Sequence, residues 1–183
     1  MTLGPNIESA RWLALGVFVC SHLVSPVLGQ EAARPAGVAG PPDVLHQAAY
    51  CTISDRAIAV CAVVTDDSQI AKVRTYFRAS GERDFCYVEM VSDGDEYCGT
   101  LPAPRDGKMD ALEYYIQAID DSYESKRTST KSLELQEPEV CGFPPVERDP
   151  ARARAITVYA TQREQRRLDD AFLGDGVTFV PKR

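Results

Sequence analysis

The chain has few of the residues that carry out catalysis. Two histidines occur in 183 residues, and His22 belongs to the apolar N-terminal segment, which leaves His46 for the rest of the chain. A catalytic triad needs a nucleophile, a base and an orienting group within reach, and no serine or cysteine elbow surrounds His46. The phosphate loop ending in Gly-Lys-Ser or Gly-Lys-Thr is absent. The chain also lacks a Cys-x-x-Cys pair, the spacing that would suggest a zinc site. We therefore expect a protein that is not an enzyme and has no cofactor.

Clustered positive charge is also scarce. Lysine and arginine total 20 against 27 aspartates and glutamates, and the net charge is −7. The one basic cluster, formed by Arg163, Arg166 and Arg167, has acidic residues close by. Phosphate backbones are bound by grouped cations, so we expect no nucleic-acid partner.

The first 29 residues have the features of a secretory signal. Arg11 precedes an apolar run over residues 12–20, and Val27-Leu28-Gly29 offers small residues for cleavage before Gln30. The alternative, an uncleaved anchor, is disfavoured because serine, histidine and proline interrupt the stretch, whereas a spanning helix needs about 20 mostly apolar residues. We predict export to the periplasm or the exterior with no stable membrane span, followed by a Pro/Gly/Ala-rich linker over residues 30–48.

Alternating apolar and polar residues between Arg56 and Leu135 predict a mostly β domain over residues 49–141. A period of two indicates a strand with one buried face, and repeated short strands indicate a sandwich or barrel. Ser92-Asp93-Gly94 is expected to form a hairpin turn. The predicted strands are 57–64, 71–78, 85–91, 96–101, 111–119 and 128–135.

Residues 142–183 are predicted to form a small α/β extension. The pattern favours a strand at 156–160, a helix at 162–172 and a strand at 177–180. These elements are too small to bury a core of their own, so they either dock on the sandwich or stay mobile, and we expect docking.

Three segments resemble the immunoglobulin-like or fibronectin type III-like modules of exported bacterial proteins: "VVTDDSQIAKVRTYFR", "YVEM…EYCGTLPAP" and "LEYYIQAIDD". The resemblance covers about residues 46–141 and implies an immunoglobulin-like antiparallel β-sandwich. Tyr114 lies where such folds place a tyrosine-corner residue, two positions before the core residue Ile116. The chain departs from antibody domains because its single tryptophan, Trp12, lies outside the strands.

Five cysteines follow the signal segment, and in an exported protein they favour disulfides with at least one thiol left over. Cys51 and Cys141 bracket the domain, and joining them would stabilise the fold by about 4 kcal/mol, so this pair is favoured. Cys86–Cys98 would close one hairpin, although a three-residue turn leaves these cysteines two residues out of register. Cys61–Cys98 is the other alternative, because the resemblance makes their strands neighbours.

Four aromatic residues are candidates for a binding surface: Tyr76, Phe85, Tyr87 and Tyr115. Their parity places them outside the core, and the resemblance implies that their three strands are adjacent. Exposed aromatic patches mark binding surfaces, and tyrosine suits a surface that is part apolar and part wet. The alternative is that residues 143–183 cover this face and make it a second core.

Paired aspartates at two strand ends are a weaker candidate, for calcium. Asp66 and Asp67 follow the first predicted strand, and Asp120 and Asp121 follow the fifth. The resemblance implies that both turns lie at one end of the sandwich, where their carboxylates could hold Ca²⁺. The alternative is ordinary turn chemistry, in which each aspartate bonds its own backbone.

These observations predict an exported, non-catalytic binding or scaffolding module of the bacterial cell envelope, with a protein or glycan partner. The alternative function is a carbohydrate-binding accessory module, or a small hydrolase that uses two of the many carboxylates.

Overall fold

The structure is a computed structural model that describes residues 40–142 and 155–182. The predicted signal segment and residues 30–39 of the predicted linker lie outside the described residues. The described part is mostly β, with antiparallel sheets and little helix. Its strands are β1 Asp43–Leu45, β2 Cys51–Thr52, β3 Ile58–Thr65, β4 Ile70–Ala79, β5 Cys86–Glu89, β6 Val91–Asp93, β7 Glu96–Leu101, β8 Ala111–Asp120, β9 Ser125–Arg127, β10 Lys131–Leu135, β11 Ile156–Ala160 and β12 Val177–Pro181, and its helices are α1 Pro138–Cys141 and α2 Gln162–Ala171.

The strands form two sheets. The first has the order β1-β3-β7-β6 and is antiparallel throughout. The second has the order β12-β11-β5-β4-β8-β10-β2, with β9 beside β8, and is antiparallel except at β11–β12 and β10–β2. Within residues 40–142 and 155–182, no helix combines the length and apolar character needed to cross a membrane.

The core lies between the two sheets because each contributes alternate residues to it. Val60, Ala62 and Val64 of β3 are buried, and so are Leu112 and Ile116 of β8. These are the positions that the alternation predicted to face inward, so that prediction is confirmed. At Gly99 of β7 the sheets approach so closely that an added Cβ would lie 3.3 Å from a side-chain carbon of Val88 in β5.

Most predicted strand bounds agree with the structure. Strands 96–101 and 156–160 are present as predicted. Strands 111–119 and 177–180 differ by one residue at one end, and strands 57–64 and 71–78 differ by one residue at both ends. Alternation located these strands well because each has one buried face.

The prediction of one strand over residues 85–91 was wrong. β5 ends at Glu89 in the second sheet, Met90 N donates to Val73 O at 2.9 Å, and the chain then enters β6 in the first sheet. The hairpin that follows pairs Asp93 with Glu96 across the two residues Gly94 and Asp95, so the three-residue turn was also wrong. Gly94 has φ +63°, a value that glycine adopts at no steric cost.

Two further boundaries differ from prediction. Residues 128–130 do not continue β10, because Thr128 bonds Ile116 through both its amide and its hydroxyl in place of a regular ladder. β1 lies inside the segment predicted as linker and pairs with β3. Strands as short as β1 and β2 contain too few residues for an alternating pattern to be recognised in the sequence.

The C-terminal elements dock on the sheets, as predicted. β11 lies antiparallel to β5, and β12 extends the sheet beyond it. α2 begins with a capping box between Thr161 and Glu164. Its buried residue Leu168 and the following Phe172 join the core, where the Phe172 ring meets Phe77 edge-on with centroids 5.6 Å apart.

Candidate functional site

Four tyrosines lie side by side across the outer face of the second sheet. We call Tyr159, Tyr87, Tyr76 and Tyr115 the tyrosine row; they belong to the adjacent strands β11, β5, β4 and β8 and are direct partners in register. Ring centroids are 4.7 Å apart for Tyr159 and Tyr87, 5.3 Å for Tyr87 and Tyr76, and 4.8 Å for Tyr76 and Tyr115. The first and last of these pairs are stacked nearly parallel. Such cross-strand aromatic pairs stabilise a sheet.

Three arginines and one phenylalanine complete this surface, which we call the tyrosine–arginine face. Phe85 contacts Tyr115 edge-on at 5.0 Å. Each guanidinium lies over one ring, an arrangement favoured by cation–π attraction. The distances to the ring centroid are 4.4 Å from Arg74 to Tyr87, 4.1 Å from Arg78 to Phe85 and 5.5 Å from Arg127 to Tyr115.

The charges of this face are partly neutralised. Arg74 pairs with Glu89 at 3.3 Å and Arg78 with Glu113 at 2.6 Å. Arg127 is exposed and makes no ion pair within residues 40–142 and 155–182. The face therefore has a net cationic character on a chain whose net charge is −7.

Burial raises the pKa values of Tyr87 and Tyr115, although nearby arginines act in the opposite direction. Burial alone would lower the pKa of Arg74, but interactions with Tyr76 and Tyr87 more than offset it and raise the value. At neutral pH the phenols therefore keep their protons and the guanidinium keeps its charge. The face offers hydroxyl donors and fixed positive charge.

The predicted contact residues differ in accessibility. Tyr76, Phe85 and Tyr115 are half-buried, whereas Tyr87 is only 5% exposed. Tyr76 is flanked by a tyrosine ring on each side, and Tyr87 lies between two tyrosine rings with Arg74 above it. The ring faces in the middle of the row are thus occupied. What remains for a partner is mainly ring edges, hydroxyl groups and guanidinium groups.

The sequence predicted the alignment of Tyr76, Tyr87 and Tyr115 but missed Tyr159 and the arginines. The alternation within residues 156–160 could have placed the Tyr159 side chain on the opposite face of the strand from the buried Val158. It could not show that β11 would pair with β5. Instead of covering the face, β11 extends its sheet sideways and lengthens the row by one ring. Residues 143–154, which also belong to the segment that was the alternative cover, lie outside the described residues.

His46 has a structural position. Its Nδ1 lies 2.6 Å from the Cys61 carbonyl oxygen and its Nε2 lies 2.7 Å from the Tyr114 hydroxyl. A carbonyl only accepts, so Nδ1 carries a proton, and in the neutral ring Nε2 accepts from the tyrosine. Tyr114, proposed as a tyrosine-corner residue, thus bonds a histidine side chain. Tyr114 and Cys61 belong to different sheets, which His46 connects.

The favoured disulfide Cys51–Cys141 is present, with Cα atoms 6.1 Å apart, and the second disulfide is Cys61–Cys98. The Cys86–Cys98 alternative is wrong. Cys98 lies directly opposite Cys61 in the β3–β7 ladder, whereas Cys86 lies in the other sheet and is a buried free thiol. Two disulfides are consistent with an oxidising compartment.

A cavity of about 400 Å³ lies between α2 and the connection from β4 to β5. Cys86 lines it, and burial, together with the nearby Glu164 charge, raises the pKa of this thiol to about 12. Burial alone would raise the pKa of Glu164, but hydrogen bonds from Lys182 and from the Thr161 amide hold it below its ordinary value. At neutral pH the cavity therefore contains a protonated thiol and an ion-paired carboxylate, neither suited to nucleophilic or general acid–base chemistry.

The predicted calcium residues are placed at two neighbouring turns. Asp66 shows the expected turn chemistry, because its Oδ1 accepts from the amides of Asp67 at 2.7 Å and Ser68 at 3.3 Å. Asp120 Oδ1 accepts from the Glu124 amide at 2.7 Å. Among the described residues, the four aspartates do not form a set of three carboxylates with ligand atoms within 4.8 Å of one another. The potential ligand atoms of Cys61, Glu96 and Cys98 do lie within 4.8 Å of one another, but two of these atoms are the sulfurs of a disulfide.

Comparison with known proteins found no protein-family model and no curated protein that matches this chain.

Proposed function

We propose that this chain is an exported, non-catalytic binding module whose tyrosine–arginine face contacts a protein partner in the bacterial cell envelope or outside the cell. We further propose that its fold is an immunoglobulin-like sandwich. In that fold the strands A, B, E and D form one sheet, and C, F and G form the other. The two sheets of this chain become A-B-E-D and C′-C-F-G when their strands are lettered in chain order. The letters A, B, C, C′, D, E, F and G then stand for β1, β3, β4, β5, β6, β7, β8 and β10.

The chain also departs from that fold family. Cys61–Cys98 would join strands B and E within one sheet, whereas the antibody disulfide joins strands B and F between sheets. β11 and β12 lengthen the second sheet beyond C′. This lengthening adds Tyr159 to the proposed contact surface.

The observation that carries the functional proposal is the composition and order of the tyrosine–arginine face. Tyrosine and arginine are enriched at the energetic centres of protein interfaces. A tyrosine has few rotatable bonds, and the stacking within the row restricts them further, so binding costs little additional side-chain entropy. Arg127, which pairs with no carboxylate in the part of the chain that the structure describes, favours a partner surface that carries carboxylates.

A protein partner is favoured over a glycan by the way the rings are packed. A sugar ring docks on the open face of an aromatic ring, and the faces of Tyr76 and Tyr87 are already covered by neighbouring side chains. Ring edges and hydroxyl groups suit the mixed polar and apolar contacts of a protein interface.

Capture of envelope proteins by cross-linking tests this function. The full chain is expressed in its source cells as wild type, as Arg127→Glu and as Arg163→Glu, which reverses an exposed arginine on α2 outside the face. We expect a protein captured by the wild type to persist with Arg163→Glu and to fall by at least about tenfold with Arg127→Glu, because a reversed charge opposes the partner's carboxylates.

Equal capture by all three proteins would contradict the proposed surface. A glycan array supplies the other outcome: sugar binding that Tyr76→Ala and Tyr115→Ala abolish, in variants whose circular dichroism matches the wild type, would replace the protein partner with a carbohydrate.

A further inference from the structure

Two carboxylate oxygens at one end of the molecule are buried without a hydrogen-bond partner, Oδ2 of Asp66 and Oδ2 of Asp120. Asp120 is 0% exposed. It continues the inward positions of β8 after Ala118, and Asp66 continues those of β3 after Val64. The two buried oxygens therefore lie at the ends of β3 and β8, strands that belong to different sheets.

The turns that hold these residues are joined directly. Asp121 N donates to Gln69 O at 2.9 Å, and Ile70 is the register partner of Asp120. The Oδ1 atom of each carboxylate accepts amide hydrogens of its own turn, and the Oδ2 atom makes no hydrogen bond. Hydrogen bonds within the turns thus account for only one of the two oxygens of each carboxylate. A buried carboxylate oxygen with no donor destabilises a fold unless a ligand satisfies it.

Acidic side chains outnumber basic ones around these two turns. Asp67 and Asp121 are exposed beside Asp66 and Asp120, and Lys72, the register partner of Ile119, is an exposed cation close to the second turn. Lys126, a nearby cation on β9, pairs with Asp43 at 3.1 Å and with no other carboxylate among the described residues. Four carboxylates at one end of the fold therefore favour a cation from solution.

We propose that this end of the molecule binds Ca²⁺, with Oδ2 of Asp66 and Oδ2 of Asp120 as its buried protein ligands. Calcium is a hard cation that takes six to eight oxygens in flexible geometry and accepts water and backbone carbonyls beside carboxylates. The donor set is oxygen alone, which disfavours zinc and copper. The ion joins the turn after β3 to the turn after β8 and so links the two sheets.

Calorimetric titration of the full chain with CaCl₂, after removal of metal with a chelator, tests this site. We expect one ion bound per chain and an increase in the melting temperature that reverses on chelation. Asp66→Asn and Asp120→Asn should each weaken binding by at least about tenfold, because even groups behind metal ligands contribute about 10- to 100-fold to affinity. Asp169→Asn, an exposed aspartate on α2, is the matched control and should bind as the wild type does.

Asp66→Asn decides the outcome if Asp120→Asn fails to fold, because Asp66 is only half-buried. A wild-type chain that takes up no Ca²⁺ at millimolar concentration would overturn the proposal, and water would then satisfy the two oxygens. Undiminished binding by folded Asp66→Asn would overturn it equally, since the ion would lie elsewhere.

Discussion

Tyr114 and His46 connect the two sheets at the scale of single residues. Tyr114 is 1% exposed, and burial raises its pKa to about 12, so its hydroxyl remains a donor to His46 Nε2. Tyr114→Phe removes this donor and leaves the ring in place. We expect it to lower the free energy of unfolding by about 0.5–1.5 kcal/mol, measured by urea denaturation. Tyr123→Phe, at a tyrosine that is 90% exposed, should change it by much less, and equal losses for the two variants would contradict this role.

Glu164 gives a pH-dependent prediction. Its Oε1 accepts from Lys182 at 2.7 Å and its Oε2 from the Thr161 amide at 2.7 Å, and these bonds lower its pKa from 4.5. Because the folded-state pKa is the lower one, the stability from the charged form is complete above pH 4.5 and is lost as the pH falls through the folded value. Glu164→Gln can still cap the helix but loses the charge, so we expect it to lower the free energy of unfolding by about 1–2 kcal/mol at neutral pH.

Urea denaturation of wild type and Glu164→Gln at neutral pH and at successively lower pH measures this dependence. The difference between the two proteins should shrink below pH 4.5. Glu139→Gln, which removes an exposed carboxylate in α1, is the control. A difference that stays constant with pH would show that the carboxylate charge is not what stabilises this corner.

At the scale of elements, α2 is expected to depend on its docking residue more than on its own helix propensity. Phe172 is 2% exposed and packs against Phe77 in the core. Phe172→Ala should lower the free energy of unfolding by about 3–5 kcal/mol in denaturant titrations. Leu45→Ala, at a side chain that is 75% exposed, should cost far less. A small loss for Phe172→Ala would mean that the C-terminal elements contribute little to the core.

Elements with one buried face could be predicted from sequence, whereas those determined by tertiary contacts could not. Alternation located β3 and β8 because every second residue faces the core. It could not show that the chain changes sheets at Met90, since β5 and β6 continue one alternating pattern in the sequence. That crossing also determines the disulfide, because it places Cys86 and Cys98 in different sheets.

The candidate surfaces could likewise be predicted only in part, because some of their features depend on contacts between distant residues. Parity identified Tyr76 and Tyr115 as outward-facing, and the resemblance to immunoglobulin-like modules placed their strands side by side. The contribution of Tyr159 depends on the pairing of β11 with β5, a contact between residues far apart in the chain. The orphaned oxygens of Asp66 and Asp120 depend on the spacing of the two sheets, which no local pattern contains.

At the scale of the whole molecule, the Cys51–Cys141 disulfide closes most of the described domain into one loop with a sequence separation of 90 residues. It holds α1 against β2, where Gln136 N also donates to Thr52 O at 2.9 Å. Replacing both cysteines with alanine should lower the free energy of unfolding by about 2–4 kcal/mol, because the unfolded chain regains the entropy that the link removes. Denaturant titrations of the oxidised proteins measure the loss.

Cys86→Ala is the matched control for this double variant, because it removes a buried sulfur that belongs to no disulfide. We expect Cys86→Ala to lower the free energy of unfolding by less than the double variant does, because it breaks no covalent link. Mass spectrometry of the unreduced wild type should find Cys51 joined to Cys141, Cys61 joined to Cys98, and Cys86 alkylated only after unfolding. Alkylation of Cys86 in the native protein, or a Cys86–Cys98 peptide, would contradict this arrangement of the sheets, since both require the buried thiol to leave the core.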